Sequence, residues 1–243
     1  MTPASPPQGP LPDWDELAHR LDQRPQRRVS LPNFRESAVL VLLIEPQRDA
    51  QPEPQRDAQP EPQRDAQPES QRDALPAPRV GISPDTELLF IVRTASLPTH
   101  PGQIAFPGGK RETSDATLTA TALREAAEEV GIAADAVRIL GTLDDVPTPL
   151  GFVITPVVGA VRGPVQLHLD AGEVAHTFTV ALQDLPGAYV NGGQADWQGY
   201  RYTMHEFHHD EHRIWGATAA ITLQLLDLLA LLAAPPRDPE AIR

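Results

Sequence analysis

Three glutamates, Glu125, Glu128 and Glu129, fall within the segment REAAEEVGI at 124–132. Their spacing is i, i+3, i+4, which on a helix puts all three on one face. Carboxylates so close repel one another unless a cation sits between them. Hard oxygen ligands of this kind suit Mg²⁺ or Mn²⁺, ions that keep several waters and also bind phosphate oxygens. Such an ion can hold a phosphate oxygen and a water side by side. An acidic helix face is ordinarily only a solvated one. Here it follows a double-glycine turn, Gly108-Gly109, where a missing Cβ lets backbone approach a ligand closely. Arg124 lies four residues before Glu128 and can pair with it, fixing its rotamer.

The elements that must position these residues are legible in outline. Leu118, Ala122, Leu123, Ala126, Ala127 and Val130 form an apolar stripe, predicting a helix over 117–130 that Gly131 stops. Asp115 is a plausible cap for it or a contributor to the metal site. Upstream, 37–44 (SAVLVLLI) and 87–93 (ELLFIVR) read as strands, and 103–106 (QIAF) as a short one ending at the Pro107-Gly108-Gly109 breaker. A short helix is expected at 13–22, with Asp13 as its cap. Strands are expected near 137–143, 152–161 and 174–181, then a hairpin near 199–215 and a final helix over 216–234. Strands, one central helix, more strands and a last helix make a mixed α/β layered domain, not a regular βαβ alternation.

An internal repeat interrupts this plan. QPEPQRDA stands at 51–58 and 59–66, QPESQRDA at 67–74, and a partial copy at 45–50. The period of eight is far below that of stacking repeats. No copy carries a large apolar residue, so the segment buries too little to offset its ordering entropy. We read 45–80 as a disordered insertion between two strands, tolerated because closure entropy grows only slowly with length. The domain is then 13–44 joined to 81–234, with a disordered terminus at 1–12 and a flexible tail at 235–243.

Composition excludes several classes. The net charge of −13 argues against a nucleic-acid or anionic-membrane surface. A small anionic substrate remains compatible, because bound metal supplies the attraction locally. The absence of cysteine rules out disulfides, zinc–thiolate sites and thiol catalysis, and is compatible with a cytoplasmic setting. The N-terminal stretch lacks the charged start and apolar run of a signal peptide. The apolar stretch 221–234 is too short to span a bilayer. A homodimer is compatible with this composition.

The segment 107–132 resembles the Nudix box, GX5EX7REUXEEXGU. Counting back from Arg124 puts Ala116 and Lys110 where the box has its glutamate and glycine. A loop one residue longer puts Asp115 and Gly109 there instead, a feature of the coenzyme A pyrophosphatase branch. The stretch LLFIVRTASLPTHPGQIAFPGGK at 88–110 resembles that branch's LLTxRSxxLxxHxGQxAFPGG, as do TPLGFVITPVVG at 148–159 and IWGATAAI at 214–221. Thr94 stands where the branch has serine. The resemblance implies a Nudix fold, a mixed sheet sandwiched between α-helices, and hydrolysis of coenzyme A to 4'-phosphopantetheine and 3',5'-ADP with Mg²⁺ or Mn²⁺. It implies Glu128 and Glu129 as main metal ligands, Glu125 as a further ligand or the base, and the Gly109 carbonyl facing the metal. Arg124, part of the same catalytic segment, is expected to be structural. Arg93, His100, Gln103 and Phe152 become substrate-binding candidates. The plain alternatives are a strand-end charge for Arg93, a solvated loop histidine for His100 and a core aromatic for Phe152. Two other readings stay open: hydrolysis of another nucleoside diphosphate derivative such as ADP-ribose or a dinucleoside polyphosphate, and a nucleotide-binding module without turnover.

A second histidine-rich cluster, HEFHHDEH at 205–212, invites a transition-metal reading. It lies in the expected hairpin with no second cluster at ligand spacing, and is read as surface turn chemistry.

Overall fold

The computed structural model describes residues 11–46, 82–96, 101–197 and 200–232. The expectations for His100, the C-terminal tail and most of 1–12 and 45–80 fall outside the described residues; Leu11 packs on the core and Glu45 ends β1, so the ordered domain reaches one or two residues further than expected. The chain opens with helix α1 (Trp14–Gln23), capped by the Asp13 side chain, which accepts from the Glu16 N–H. Strands β1 (Arg35–Glu45), β2 (Glu87–Arg93), β3 (Ile104–Ala105) and β4 (Gly108–Lys110) follow, then helix α2 (Leu118–Val130). Next are β5 (Arg138–Thr142), β6 (Val146–Thr148), β7 (Phe152–Arg162) and β8 (Val174–Ala181). A short turn α3 (Leu185–Ala188), strands β9 (Tyr189–Trp197), β10 (Tyr200–His209) and β11 (His212–Trp215), and helix α4 (Gly216–Leu228) complete it.

Eight strands form one mixed sheet with the backbone order β3-β2-β1-β7-β5. β1 and β7 run parallel in register from Arg35↔Phe152 to Glu45↔Arg162, and the other pairings are antiparallel. Period-2 alternation divides the apolar residues of β1 and β2 between two faces. Ala38, Leu40, Leu42, Leu89 and Ile91 pack on α2 through Ala122, Ala126 and Val130. Val41, Leu43, Leu88 and Phe90 face the opposite cluster with Trp14, Leu17 and Leu21 of α1 and Leu225 and Leu226 of α4. Both faces are covered, which is why these strands read as continuous apolar runs. The sheet sandwiched between helices is as the sequence predicts.

Three expectations need correction. The hairpin near 199–215 is a three-stranded antiparallel sheet, β11-β10-β9. The segment YVNGGQADW, rich in Gly and polar residues, lacks strand signals, and pairing with β10 supplies what its composition does not. The last helix ends at Leu228, with Ala230 in a left-handed conformation at φ 56°. The double-glycine breaker is itself strand β4, paired with β1 at Ala38↔Gly109 and Val39↔Gly108.

Candidate active site

Helix α2 is built to approach the sheet closely. Thr117, not Asp115, caps its N-terminus, accepting from the Ala120 N–H at 3.1 Å. Gly131 ends it at φ 73°. The small residues Ala122 and Ala126 on its inner face let the axis settle onto β1. β4 pairs with β1 so tightly at Gly108 that a Cβ there would strike the Ala38 carbonyl and the Val39 backbone. The two approaches bring the acidic helix face directly over the glycine pair.

The three glutamates take different positions. Glu129 is 2% exposed, and its Oε2 accepts from the Gly108 N–H at 2.8 Å. Its Oε1 lies 3.4 Å from the Arg93 guanidinium. Burial pushes its carboxyl up to about 7, against the opposing pull of the Gly108 N–H and Arg93. Glu125 covers Gly109 so tightly that a Cβ there would collide with its carboxylate. Its carboxyl is also raised, first by burial, and Arg124 pulls it back. Glu128 is mostly exposed and pairs with Arg124 at 2.9 Å.

Arg124 is the organising residue of the helix face. Its Nε and Nη2 grip the two Asp115 oxygens at 3.1 Å each. Nη2 also donates to the Lys110 carbonyl at 3.0 Å and to Glu125 at 3.0 Å. Asp115 is buried and further accepts from Thr121 Oγ1 at 3.0 Å and the Glu112 N–H at 2.9 Å. These bonds, Arg124 first, hold its carboxyl well below the usual range. Asp115 is thus neither the helix cap nor a free ligand; it anchors the arginine that ties α2 to the loop after β4.

Arg93 continues the α2-facing alternation of Leu89 and Ile91 at the end of β2. A register shift between Val92 and Arg93 in the β2–β8 ladder brings Glu173 beside it, at 3.8 Å from the guanidinium. Glu173 is a fourth carboxylate at the site, raising the carboxyls of both Glu125 and Glu129 by its charge. It lies 44 residues after Glu129 in the chain, and the β2–β8 pairing together with the Asp170 N–H bond to the Glu129 carbonyl brings it near. Gln103 meets the site through its backbone, its carbonyl accepting from the Arg93 N–H at 3.0 Å. Phe152 lies at the other end of the glycine strand, with the Arg35 guanidinium 4.2 Å from its ring centroid. It is half-buried and not a core aromatic.

The donor set of hard carboxylate oxygens fits Mg²⁺ or Mn²⁺, and mutual repulsion among Glu125, Glu129 and Glu173 is what a cation would relieve. Among the described residues no three acidic or histidine side chains already converge on one point, since Glu128 is turned toward Arg124. The histidine-rich segment spreads over a hairpin and does not form a centre. His205 bonds Tyr189, His208 bonds Glu206, and His212 stacks on Phe178 with centroids 3.7 Å apart. Among the described residues, no helix is long and apolar enough to cross a membrane.

A Nudix hydrolase, NudL, of Photorhabdus laumondii, itself uncharacterized, is 38% identical over 143 residues, covering 58% of this chain and 76% of its own length. The NudL of Yersinia enterocolitica is 38% identical over 148 residues, covering 58% and 73%. A C. elegans Ap4A hydrolase structure aligns with 61% of this chain and 81% of its own at 15% identity and a TM-score of 0.40. The NUDIX domain family model matches residues 77–218, which span the acidic helix, the glycine strand and Arg93, and the chain therefore belongs to the Nudix hydrolase family.

Proposed function

We propose that this chain hydrolyses the phosphoanhydride of coenzyme A, or of its derivatives, to 4'-phosphopantetheine and 3',5'-ADP. The observation that carries the reading is the placement of Arg93 and Gly108, two described residues of the 88–110 stretch, against Glu129 of the acidic helix. Arg93 reaches Glu129, Gln103 bonds the Arg93 backbone, and Gly108 donates to Glu129. These contacts support the reading, because Arg93, Gln103 and Gly108 all belong to the stretch that resembles the coenzyme A branch. Glu125, Glu128 and Glu129 would hold Mg²⁺ or Mn²⁺, with the Gly109 carbonyl beside them. The bound ion supplies charge neutralisation at the phosphate oxygens and acidifies water.

The chain's own groups do the rest. Water adds to one phosphorus, its proton passes to the Glu125 carboxylate, and the bridging oxygen leaves with the other phosphate. Burial raises the Glu125 carboxyl, which makes it a stronger base than an exposed carboxylate. Arg93 orients Glu129 and meets a phosphate oxygen as substrate enters. Arg124 contributes by fixing Glu125 and Glu128, not by touching substrate.

The test is product analysis with Mg²⁺ or Mn²⁺ on coenzyme A, ADP-ribose and diadenosine polyphosphates, with Glu128→Gln as control. Release of 3',5'-ADP from coenzyme A, lost in the variant, supports the proposal. The Glu128 side chain is largely exposed, so the variant keeps its fold within roughly 0.5 kcal/mol. Cleavage of the other nucleotides alone discards coenzyme A, and near-normal turnover by the variant discards the ligand assignment.

A further inference from the structure

Two cations stand over one aromatic ring beside the acidic helix. The Arg35 guanidinium lies 4.2 Å and the Lys110 ammonium 5.8 Å from the Phe152 centroid. Strand pairing puts them there. Arg35 faces Phe152 in the parallel β1–β7 ladder, and Lys110 pairs with Ser37 two residues further along β1. Arg35 and Lys110 also line an open cleft of about 380 Å³.

The other charges of that cleft are largely committed. Arg111 pairs with Glu36 at 2.8 Å, and Asp115 with Arg124 at 3.1 Å. Glu112 remains as the one lining carboxylate with no cation on it among the described residues. Among those residues neither Arg35 nor Lys110 has an acidic partner, in a chain of net charge −13. A ring face attracts each cation only weakly, and the two repel each other. An anion seated between them would relieve the repulsion and use both sets of donors. A phosphomonoester, near −2 at neutral pH, has the charge and the oxygens for that. The cleft reaches the acidic helix through Asp115, which lines it and is held by Arg124.

We propose that Arg35, Lys110 and Phe152 form a subsite for a second phosphate of the substrate, a phosphomonoester on its nucleoside, and set the preference for substrates that carry one. The proposal rests on the coenzyme A reading and names the residues that would recognise its 3'-phosphate.

The experiment is calorimetric titration of the metal-free chain with 3',5'-ADP and with 5'-ADP, which carry the same number of phosphates. Wild type, Arg35→Gln, Lys110→Gln and the double variant are compared, with melting curves to confirm folding. Wild type is expected to bind 3',5'-ADP about tenfold tighter, the effect of one well-made charge-assisted contact. The double variant is expected to bind the two within about twofold of each other, each single variant lying between. No preference in wild type, or a preference that survives the double substitution, overturns the proposal. Binding requires no turnover, so a chain that leaves coenzyme A intact in the product assay sinks the coenzyme A reading while the titration still decides the subsite.

Discussion

Replacing Glu129 with glutamine should make the metal-free protein more stable and catalytically dead. The carboxyl is 2% exposed and lifted from 4.5 to about 7 by burial. A lift of that size corresponds to roughly 3 kcal/mol against the ionised form. Because the folded value is raised, the associated stability is complete below the unfolded value near 4.5 and is lost as pH rises to about 7. Glutamine is never ionised and keeps an acceptor for the Gly108 N–H, so it escapes that loss. The predicted gain at pH 8 is of the order of 3 kcal/mol, or roughly 5–10 °C in Tm for a domain of this size. At pH 4.5 the two proteins should melt nearly together, since all other groups titrate alike in both. The assay is scanning calorimetry in EDTA at pH 4.5 and pH 8, repeated with Mg²⁺. Added metal should raise the wild-type Tm at pH 8 and move the variant less. A Tm difference that is the same at both pH values, or a variant less stable at pH 8, would refute the reasoning.

Gly109→Ala should lower turnover by roughly tenfold or more while circular dichroism stays unchanged, because the new Cβ displaces the Glu125 carboxylate; wild-type rates would show that Glu125 has no fixed place in the reaction. Glu206 is held down to about 2, first by Arg213 and then by His208. Its stability contribution is present above the unfolded value of 4.5 and lost as pH falls toward 2, so Glu206→Gln should flatten the acid limb of the melting profile between those values. Replacing 47–78 by a short turn should leave metal-dependent turnover within about twofold, because the flanking strands β1 and β2 pair without it at Leu43↔Leu88; a large loss in a folded protein would give the repeat a function.

How much of this was legible follows from the range of each interaction. Helix α2, its glycine stop and its one-sided glutamates rest on contacts three and four residues apart, and a linear sequence displays those directly. The buried strands declared themselves because both faces are covered, leaving no polar alternation to obscure the run. Strand β4 did not, since two glycines read as a breaker until β1 is seen to need the missing side chain of Gly108, and Glu125 that of Gly109. The role of Asp115 was equally hidden: ligand, cap and anchor look alike in sequence, and only the two bonds from Arg124 separate them. His100 lies outside the described residues.

The sequence by itself determined the acidic helix, the glycine pair that faces it and the layered α/β plan, because each is written in local spacing and burial pattern. Tertiary structure alone decided that Glu129 is buried against Gly108, that Glu173 joins the cluster across a β-bulge, and that Arg35 and Lys110 meet over Phe152. Those three outcomes depend on pairing between strands far apart in the chain, and sheet register, unlike helix periodicity, is fixed only when the partners meet.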